Sequence, residues 1–351
     1  MRFWDREREI KELKAFIESE PNSILFVYGP KSSGKSTLVE KVIEEIKEEK
    51  KGLFFDKYQI YWFDLRGKFI PNYESVVDMF FLDEETEFAK EISKDMEIGV
   101  MNFFKVKRAV KEEFKQKRTD PFEYMEGMIR KAKKKTVIVF DEIQRLKSVY
   151  LNSPSNQRQV IDELFNFFVR LTKVKHLSHV FVMTSDTFFI EQIYQSSSLE
   201  NTSRYYLVDF FDDDTAMRIL MEEGLSKNEA EYAVSWIGGV PWMMKELVER
   251  VRMEDLRNVI VELFKTTKSS IDEKLDTILV NDGERAFKFA VEILRKIVRG
   301  DEIGRTEENR RIMRKLVELE ILYYDPVNKR LIPHTRLHEK AIRELLEAGA
   351  T

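Results

Sequence analysis

The sequence contains no cysteine among its 351 residues. Disulfide bonds and metal sites built on thiolates are therefore excluded. The chain also lacks any run of about 18 apolar residues, so it predicts no transmembrane helix. Its first residues, from Met1 to Arg6, do not provide the apolar stretch of a secretory signal peptide. Taken together, these absences predict a cytoplasmic protein that has no membrane partner.

Charge of one sign is not in excess, although charged residues make up 35% of the chain. The formal net charge is only −4, so the molecule as a whole is not built to bind nucleic acid. Any such binding has to come from a local basic patch. The four histidines are too scattered along the chain to predict a metal site. The length predicts two or three domains.

The segment 28–37 carries a complete phosphate-binding loop (P-loop), with the pattern Gly-x-x-x-x-Gly-Lys-Ser. A buried strand is predicted before it, at 24–27, and a helix after it, at 38–46, which is the context that this motif requires. An ordinary glycine turn that matches by chance would not explain both flanking elements. In such a loop Lys35 reaches the β- and γ-phosphates and the Ser36 hydroxyl is a ligand of Mg²⁺. The residues predicted to contact a nucleotide are Gly29, Pro30, Lys31, Ser32, Ser33, Gly34, Lys35, Ser36 and Thr37.

A second apolar strand, predicted at 136–140, ends on two adjacent carboxylates, Asp141 and Glu142. Its continuous β-branched character indicates burial on both faces, as in a parallel sheet. By itself a carboxylate pair after a strand is a weak signal, because it occurs often by chance. Downstream of a P-loop, the pattern predicts that Asp141 holds Mg²⁺ together with Ser36. It also predicts that Glu142 acts as the general base for the attacking water.

Three further polar residues each have two interpretations. Gln144 contacts the γ-phosphate or caps the next helix. Thr184, followed by Ser185, ends the next predicted strand, where its hydroxyl senses the γ-phosphate or bonds its own backbone in a turn. Arg204, just before the last strand, is an arginine finger, acting in cis or from a neighbouring subunit, or a solvated surface residue. We include Thr184 and Arg204 among the candidate catalytic residues.

The predicted elements divide the chain into three parts. Strands and helices alternate over residues 1–210, which predicts an open α/β fold with a parallel sheet around the P-loop. The pattern becomes helical over 211–279, where a lid subdomain is expected. Within this lid, the break at Gly238–Pro241 is helix punctuation, or else Pro241 places an apolar edge against the nucleotide. Residues 280–351 predict helix, helix, β-ribbon and helix, the order of a winged helix-turn-helix.

Basic residues cluster in that C-terminal part. Those that we place on one face of its second helix, or on the ribbon, are Arg310, Arg311, Arg314, Lys315, Lys329 and Arg330. Such residues on a recognition helix and wing suit contact with the DNA backbone. A solvated face is the alternative, because residues 281–351 hold 15 Lys and Arg against 13 Asp and Glu. The partner is therefore left open as DNA or a protein.

Together these motifs resemble the archaeal ATPase family within the STAND class of P-loop NTPases, which are relatives of the AAA+ ATPases. The resemblance covers nearly the whole chain. Phe3–Ile10 is similar to the family's opening Arg-Glu-x-Glu-apolar segment, and Asp141–Gln144 to its Asp-Glu-apolar-Gln motif. Gly239–Pro241 matches the Gly-x-Pro signature of the lid, and Pro333–Leu337 resembles the start of the family's last helix.

The resemblance implies a core that binds ATP or ADP with Mg²⁺, a helical lid and a winged-helix domain, with slow ATP hydrolysis used as a switch. It implies that Arg6 lies in the segment around the adenine and Pro241 in the lid. The chain departs from the family at Ser203, where glycine is common before Arg204, and at Thr184, where the sensor strand often has glycine. The alternative is a DNA-binding initiator or loader similar to the origin-recognition ATPases. Those carry an arginine sensor in the lid, where this chain has Gly-Val-Pro.

Overall fold

The fold is organised around a parallel β-sheet. The computed structural model describes residues 6–49, 57–84, 100–151, 159–194, 199, 201–304, 306–326 and 328–349. The sheet contains β1 (Ile24–Tyr28), β2 (Tyr58–Asp64), β4 (Val100–Met101), β6 (Lys135–Asp141), β7 (Ser178–Thr184) and β8 (Ser203–Leu207). A separate parallel pair is formed by β3 (Phe81–Asp83) and β5 (Phe104–Val106).

All strand pairs of the large sheet are parallel, in the order β4-β2-β6-β7-β1-β8. The central strands β1 and β7 are buried along their whole length, because helices cover both faces of the sheet. This confirms the predicted α/β class. Since the strands run the same way, all their carboxyl ends lie at one edge, which is where ligands bind in such sheets.

Side chains of each strand alternate between two hydrophobic clusters, one on each face. In β1, Leu25 and Val27 belong to one cluster and Phe26 and Tyr28 to the other. The first face is covered by α1 (Glu7–Glu18) and α2 (Lys35–Glu49). The second is covered by α3 (Tyr73–Phe80), α4 (Arg108–Lys115), α5 (Pro121–Ala132), α6 (Val160–Val169) and α7 (Thr187–Tyr194).

A helical region follows the sheet. It comprises α8 (Asp213–Glu222), α9 (Lys227–Ile237), α10 (Pro241–Arg250) and α11 (Leu256–Asp282). The helices begin where the sequence supplies caps: the Asp212 carboxylate accepts from the Thr215 N–H at 2.8 Å, and Ser226 with Glu229 forms a capping box. Their apolar faces form one cluster, which also includes Leu337 from the C-terminal part.

The C-terminal part contains α12 (Glu284–Arg299), α13 (Glu307–Glu318), the antiparallel strands β9 (Leu322–Asp325) and β10 (Arg330–Pro333), and α14 (Arg336–Glu347). This is the predicted order of elements, and the assignment to a winged helix stays a prediction. The long α11 contributes to the cluster of the helical region through Val259 and to that of the C-terminal part through Leu275. The boundary predicted between 279 and 280 therefore falls inside α11. Within the described part of the chain, no helix is long and apolar enough to cross a membrane.

A close backbone contact joins the helical region to the end of the sheet. The Phe211 N–H donates to the Gly239 carbonyl at 3.0 Å, and the two residues form an isolated antiparallel bridge. A Cβ atom on Gly239 would lie 2.0 Å from the Phe211 carbonyl oxygen. Only glycine therefore allows the loop before α10 to approach the chain that leaves β8.

We expect Gly239→Ala to lower the free energy of unfolding by about 1–3 kcal/mol, because the new methyl group meets backbone that cannot rotate away. Urea-unfolding midpoints measure the effect. Gly127→Ala in α5 is the matched control, since a Cβ there has no neighbour within 4 Å and alanine favours a helix. An unchanged midpoint for Gly239→Ala would contradict the steric argument.

Candidate functional site

The P-loop joins the carboxyl end of β1 to the first turn of α2. Its backbone is left-handed at Ser32 (φ +61°) and Gly34 (φ +93°). Gly29 lies against the chain that leaves β8, because a Cβ there would be 2.1 Å from the Val208 carbonyl oxygen. The loop therefore packs closely against the edge of the sheet. It leads into the N-terminus of α2, where unpaired N–H groups favour the binding of an anion.

Lys35, the first residue of α2, is buried and lies across the loop. Its Nζ donates to the carbonyl oxygens of Gly29 at 3.1 Å and Pro30 at 2.8 Å. Burial lowers the pKa of Lys35 to about 8, although the nearby charges of Glu142 and Asp141 act in the opposite direction. An anion bound in the loop would favour the charged ammonium.

Ser36 and Asp141 are brought together by α2 and β6. The Ser36 hydroxyl donates to Asp141 Oδ2 at 2.7 Å. The other carboxylate oxygen, Oδ1, is buried and has no hydrogen-bond partner among the described residues. Burial raises the pKa of Asp141. A hydroxyl beside a carboxylate with a spare oxygen fits Mg²⁺, which takes one or two protein ligands and completes its shell with phosphates and water. The described residues contain no group of three or more His, Cys, Asp or Glu that could hold a metal by itself.

Glu142 is held in an uncommon backbone conformation next to Asp141. Its φ is +59°, and its N–H donates to the Met183 carbonyl of β7 at 3.0 Å. The carboxylate accepts from the Ser185 hydroxyl at 3.3 Å and from the Gln144 side-chain amide. These contacts aim the carboxylate along the carboxyl edge of the sheet, where a general base for water would have to lie.

Thr184 ends β7 and makes the turn contact with its own backbone that was one of its two interpretations. Its hydroxyl donates to Gln144 Oε1 at 2.8 Å and accepts from the Asp186 N–H at 3.0 Å. Through Gln144 it is connected to Glu142. The structure therefore brings Thr184 and Gln144 into the group around the general-base candidate, and the sensor role of Thr184 stays a prediction.

Arg6 ties the start of the chain to the P-loop. The side chain is buried, and its Nη2 donates to the Ser33 carbonyl at 3.1 Å and to the Asp209 carbonyl at 2.7 Å. Its guanidinium lies 4.8 Å from the centre of the Phe211 ring. Phe211 in turn pairs with Gly239, two residues before Pro241. The Arg6 side chain thus contacts the loop and Phe211, which pairs with the segment before Pro241, and contact of Arg6 or Pro241 with a nucleotide stays a prediction.

Arg204 is not brought to this group. It lies within β8 rather than before it, in register with Leu25, and its side chain is exposed. The carboxyl end of the strand pair is three residues further on, at Tyr28 and Leu207. Three strand residues span about 10 Å, so Arg204 lies about 10 Å from the carboxyl edge of the sheet. This distance does not suit an arginine finger that acts in cis. A role from a neighbouring subunit stays a prediction.

The basic residues of α13 lie on two faces, which corrects the expectation of one. Arg311 and Lys315 form ion pairs with Asp282 at 3.5 and 3.3 Å. Arg310 and Arg314 instead line a cleft of about 640 Å³ between α7 and the C-terminal part, together with Lys329 and Arg330. Successive residues of a helix are rotated by about 100° around its axis. Arg310 and Arg314 therefore share one face of α13, and Arg311 and Lys315 share another.

Sequence reasoning missed two charged residues of the site. Arg66, two residues after β2, has its Nη2 at 3.2 Å from Asp141 Oδ2 and 3.8 Å from Glu142 Oε1. Glu320, before β9, forms an ion pair with Lys31 of the P-loop. The signal for Arg66 was its position directly after a strand. No local signal marks Glu320, which is 289 residues away from Lys31.

Comparison with known proteins gives matches over nearly the whole chain. Residues 3–247 match the family model of an ATPase domain predominantly from Archaea. Residues 257–346 match the C-terminal domain of uncharacterized ATP-binding proteins similar to MJ1010. Among the relatives is an uncharacterized ATP-binding protein of Methanocaldococcus jannaschii, MJ1006, which is 35% identical over 99% of this chain and 95% of its own. A second ATP-binding protein from the same organism, MJ0625, is 36% identical, and the match covers 99% of this chain and 100% of that one.

Solved structures with the same fold are more distant in sequence. The Walker-type ATPase PABY2304 of Pyrococcus abyssi has a TM-score of 0.61 at 17% identity, and the match covers 97% of this chain and 96% of that one. The ORC2 protein of Aeropyrum pernix, solved in ADPNP-ADP complexes, has a TM-score of 0.50 at 11% identity, covering 99% and 95%. Both likenesses concern the fold alone. The family is established by the matches in sequence: the chain belongs to the family of ATPase domains found predominantly in Archaea.

Proposed function

We propose that the protein binds ATP with Mg²⁺, hydrolyses it slowly, and uses the nucleotide state to control its helical lid and C-terminal part. The observation that carries the proposal is the 2.7 Å contact between Ser36 of the P-loop and Asp141 at the end of β6, with Glu142 beside it. This arrangement joins phosphate binding, metal binding and a general base at one edge of the sheet. The relatives MJ1006 and MJ0625, named as ATP-binding proteins, support the choice of nucleotide.

The chemistry follows from the roles of these side chains. Lys35 and the loop N–H groups would hold the phosphates, and Ser36 with Asp141 would hold Mg²⁺, which when bound would draw charge from the phosphate oxygens. Glu142 accepts a proton from water as the water oxygen bonds to the γ-phosphorus. The bond from that phosphorus to the bridging oxygen breaks, and ADP leaves with the electron pair.

The switch is supported by contacts that connect the loop to the rest of the chain. Lys31 pairs with Glu320 of the C-terminal part, and Arg6 connects the loop to the chain before the lid. Arg336, at the start of α14, forms a two-pronged ion pair with Asp213 of α8, with contacts of 2.9 and 3.2 Å. A nucleotide that rearranges the loop therefore acts on contacts with both the lid and the C-terminal part.

We expect Glu142→Gln to keep ATP affinity within about threefold and to lower turnover by at least about 100-fold, because the amide cannot accept the proton. Lys35→Ala should abolish ATP binding, since the loop loses its buried cation. Binding is measured with a fluorescent ATP analogue and turnover by phosphate release. Glu44→Gln changes an exposed carboxylate of α2 and is the matched control. Parental turnover in Glu142→Gln would refute the assignment of the base.

The lowered pKa of Lys35 makes ATP binding dependent on pH. A bound phosphate favours the charged amine, so it raises the pKa of Lys35 above the value of about 8 in this structure. Affinity should be constant well below pH 8 and fall as the pH rises through 8 and above it. At pH 8, binding should take up about half a proton, because about half of the amines are then neutral.

Titration calorimetry in two buffers with different ionisation enthalpies measures this proton uptake. In Lys35→Arg the guanidinium stays charged throughout the range, so any remaining binding should be independent of pH. A flat affinity between pH 7 and 9 in the parent, with no uptake at pH 8, would contradict the assignment.

We propose DNA as the partner of the cleft beside α13. Arg310, Arg314 and Lys329 line this cleft and form no ion pair within the described residues. Carboxylates also line the cleft, but these three cations pair with none of them and are the groups that would contact a phosphate backbone. The Arg314 guanidinium lies 5.8 Å from the centre of the Phe188 ring of α7, and the side chains of Arg310 and Arg314 are exposed.

The two faces of α13 supply a matched test. Arg310→Gln with Arg314→Gln should weaken binding to duplex DNA and lower the slope of log affinity against log salt by about 1 to 2. Arg311→Gln with Lys315→Gln removes the same charge from the face that pairs with Asp282, and should change the slope little. Equal effects of the two pairs, or no DNA affinity of the parent at low salt, would refute the proposed surface.

A further inference from the structure

Arg66 contacts both carboxylates of the site, and the proposed reaction has so far given it no role. It lies in a turn after β2, where its own N–H donates to the Asp64 carboxylate at 2.8 Å. The Lys68 N–H donates to the Leu65 carbonyl at 3.2 Å, and Gly67 supplies the positive φ (+68°) that the turn requires. The backbone of Arg66 is therefore fixed by the turn.

The guanidinium of Arg66 contacts the two side chains that we assign to the metal, Asp141 and Ser36. Its Nη2 is 3.2 Å from Asp141 Oδ2 and 3.4 Å from Ser36 Oγ, and 3.8 Å from Glu142 Oε1. Among the described residues, no other Lys or Arg forms an ion pair with either carboxylate. The side chain is 62% exposed, so neighbouring groups leave it free to turn.

A metal ion held by Ser36 and Asp141 would lie beside this guanidinium. A magnesium ion takes oxygen ligands at about 2.1 Å and repels a guanidinium on the same carboxylate. A γ-phosphate bound in the P-loop would be the nearest strong anion to the displaced side chain. Arg66 reaches this position from a rigid turn within the same chain, whereas Arg204 is about three strand residues away from the edge.

We propose that Arg66 is a catalytic residue that contacts the γ-phosphate in cis. It would neutralise the charge that develops on the phosphate oxygens as the water oxygen bonds to phosphorus and the bond to the bridging oxygen breaks. The proton still passes to Glu142, and ADP still leaves with the electron pair. This inference rests on the proposed function, since it assigns one more residue to the same hydrolysis.

The test compares Arg66→Ala and Arg66→Lys with Lys68→Ala, which removes an exposed cation from the same turn. Arg66→Ala should lower kcat by on the order of 100-fold to 1,000-fold, as expected for loss of a cation that acts in the transition state. Its Kd for Mg·ATP should stay within about threefold. Arg66→Lys should recover only part of the rate, because an ammonium lacks the fork of parallel donors. Lys68→Ala should behave as the parent does.

A second measurement does not depend on turnover. ADP with aluminium fluoride and Mg²⁺ imitates the transferring phosphate, so its complex should dissociate at least about tenfold faster from Arg66→Ala than from the parent. The dissociation rate of ADP alone should be unchanged. A fluorescent ADP analogue reports both rates, and a thermal midpoint equal to that of the parent shows that the fold is retained.

The outcomes separate this inference from the function on which it rests. Loss of turnover in Glu142→Gln with parental turnover in Arg66→Ala would overturn the role of Arg66 alone. A lower rate in Arg66→Ala with an unchanged aluminium fluoride complex would also overturn it, because the residue would then only position Asp141. A parent that does not hydrolyse ATP would refute the proposed function itself.

Discussion

The in-register pairing of β2, β6 and β7 determines which side chains meet at the site. Asp64 lies opposite Asp141, which lies opposite Met183, and backbone hydrogen bonds continue this register one residue past the end of β6. Side chains that follow these three strands therefore meet at one edge, beside the first turn of α2. A shift of one residue in any strand would turn its side chains to the other face and separate the carboxylates from the P-loop.

Local sequence was sufficient to predict the central elements and the core of the site. The strand predicted at 136–140 is observed at Lys135–Asp141, because an apolar β-branched run buried on both faces has few alternatives. Lys35 and Ser36 were identified because a P-loop is a short motif between a strand and a helix, and both flanking elements are present. Asp141 was assigned with them from its place directly after a buried strand.

The rest depends on contacts between distant parts of the chain. Arg66 meets Asp141 only because β2 and β6 are neighbours, and 75 residues separate the two side chains. The two-residue strand β4 is too short to give a periodic signal. Arg204 was expected at the site because it was predicted to lie just before the last strand. Its distance from the P-loop is instead set by the register of β8 with β1, which places it opposite Leu25. Such distances follow from strand order and register, which no local pattern specifies.

The cations of the loop and its surroundings all contact acceptors from the protein. Lys35 bonds to two loop carbonyls, Arg66 to Asp141, and Lys31 to Glu320. A bound phosphate therefore exchanges these contacts for new ones, and the net gain in free energy is smaller than the new contacts alone would provide. A ligand shifts a conformational equilibrium only by its difference in affinity for the two states. Lys31 pairs with Glu320 of the C-terminal part, so any effect of a nucleotide on that part through Lys31 is limited to the difference between its old and new contacts.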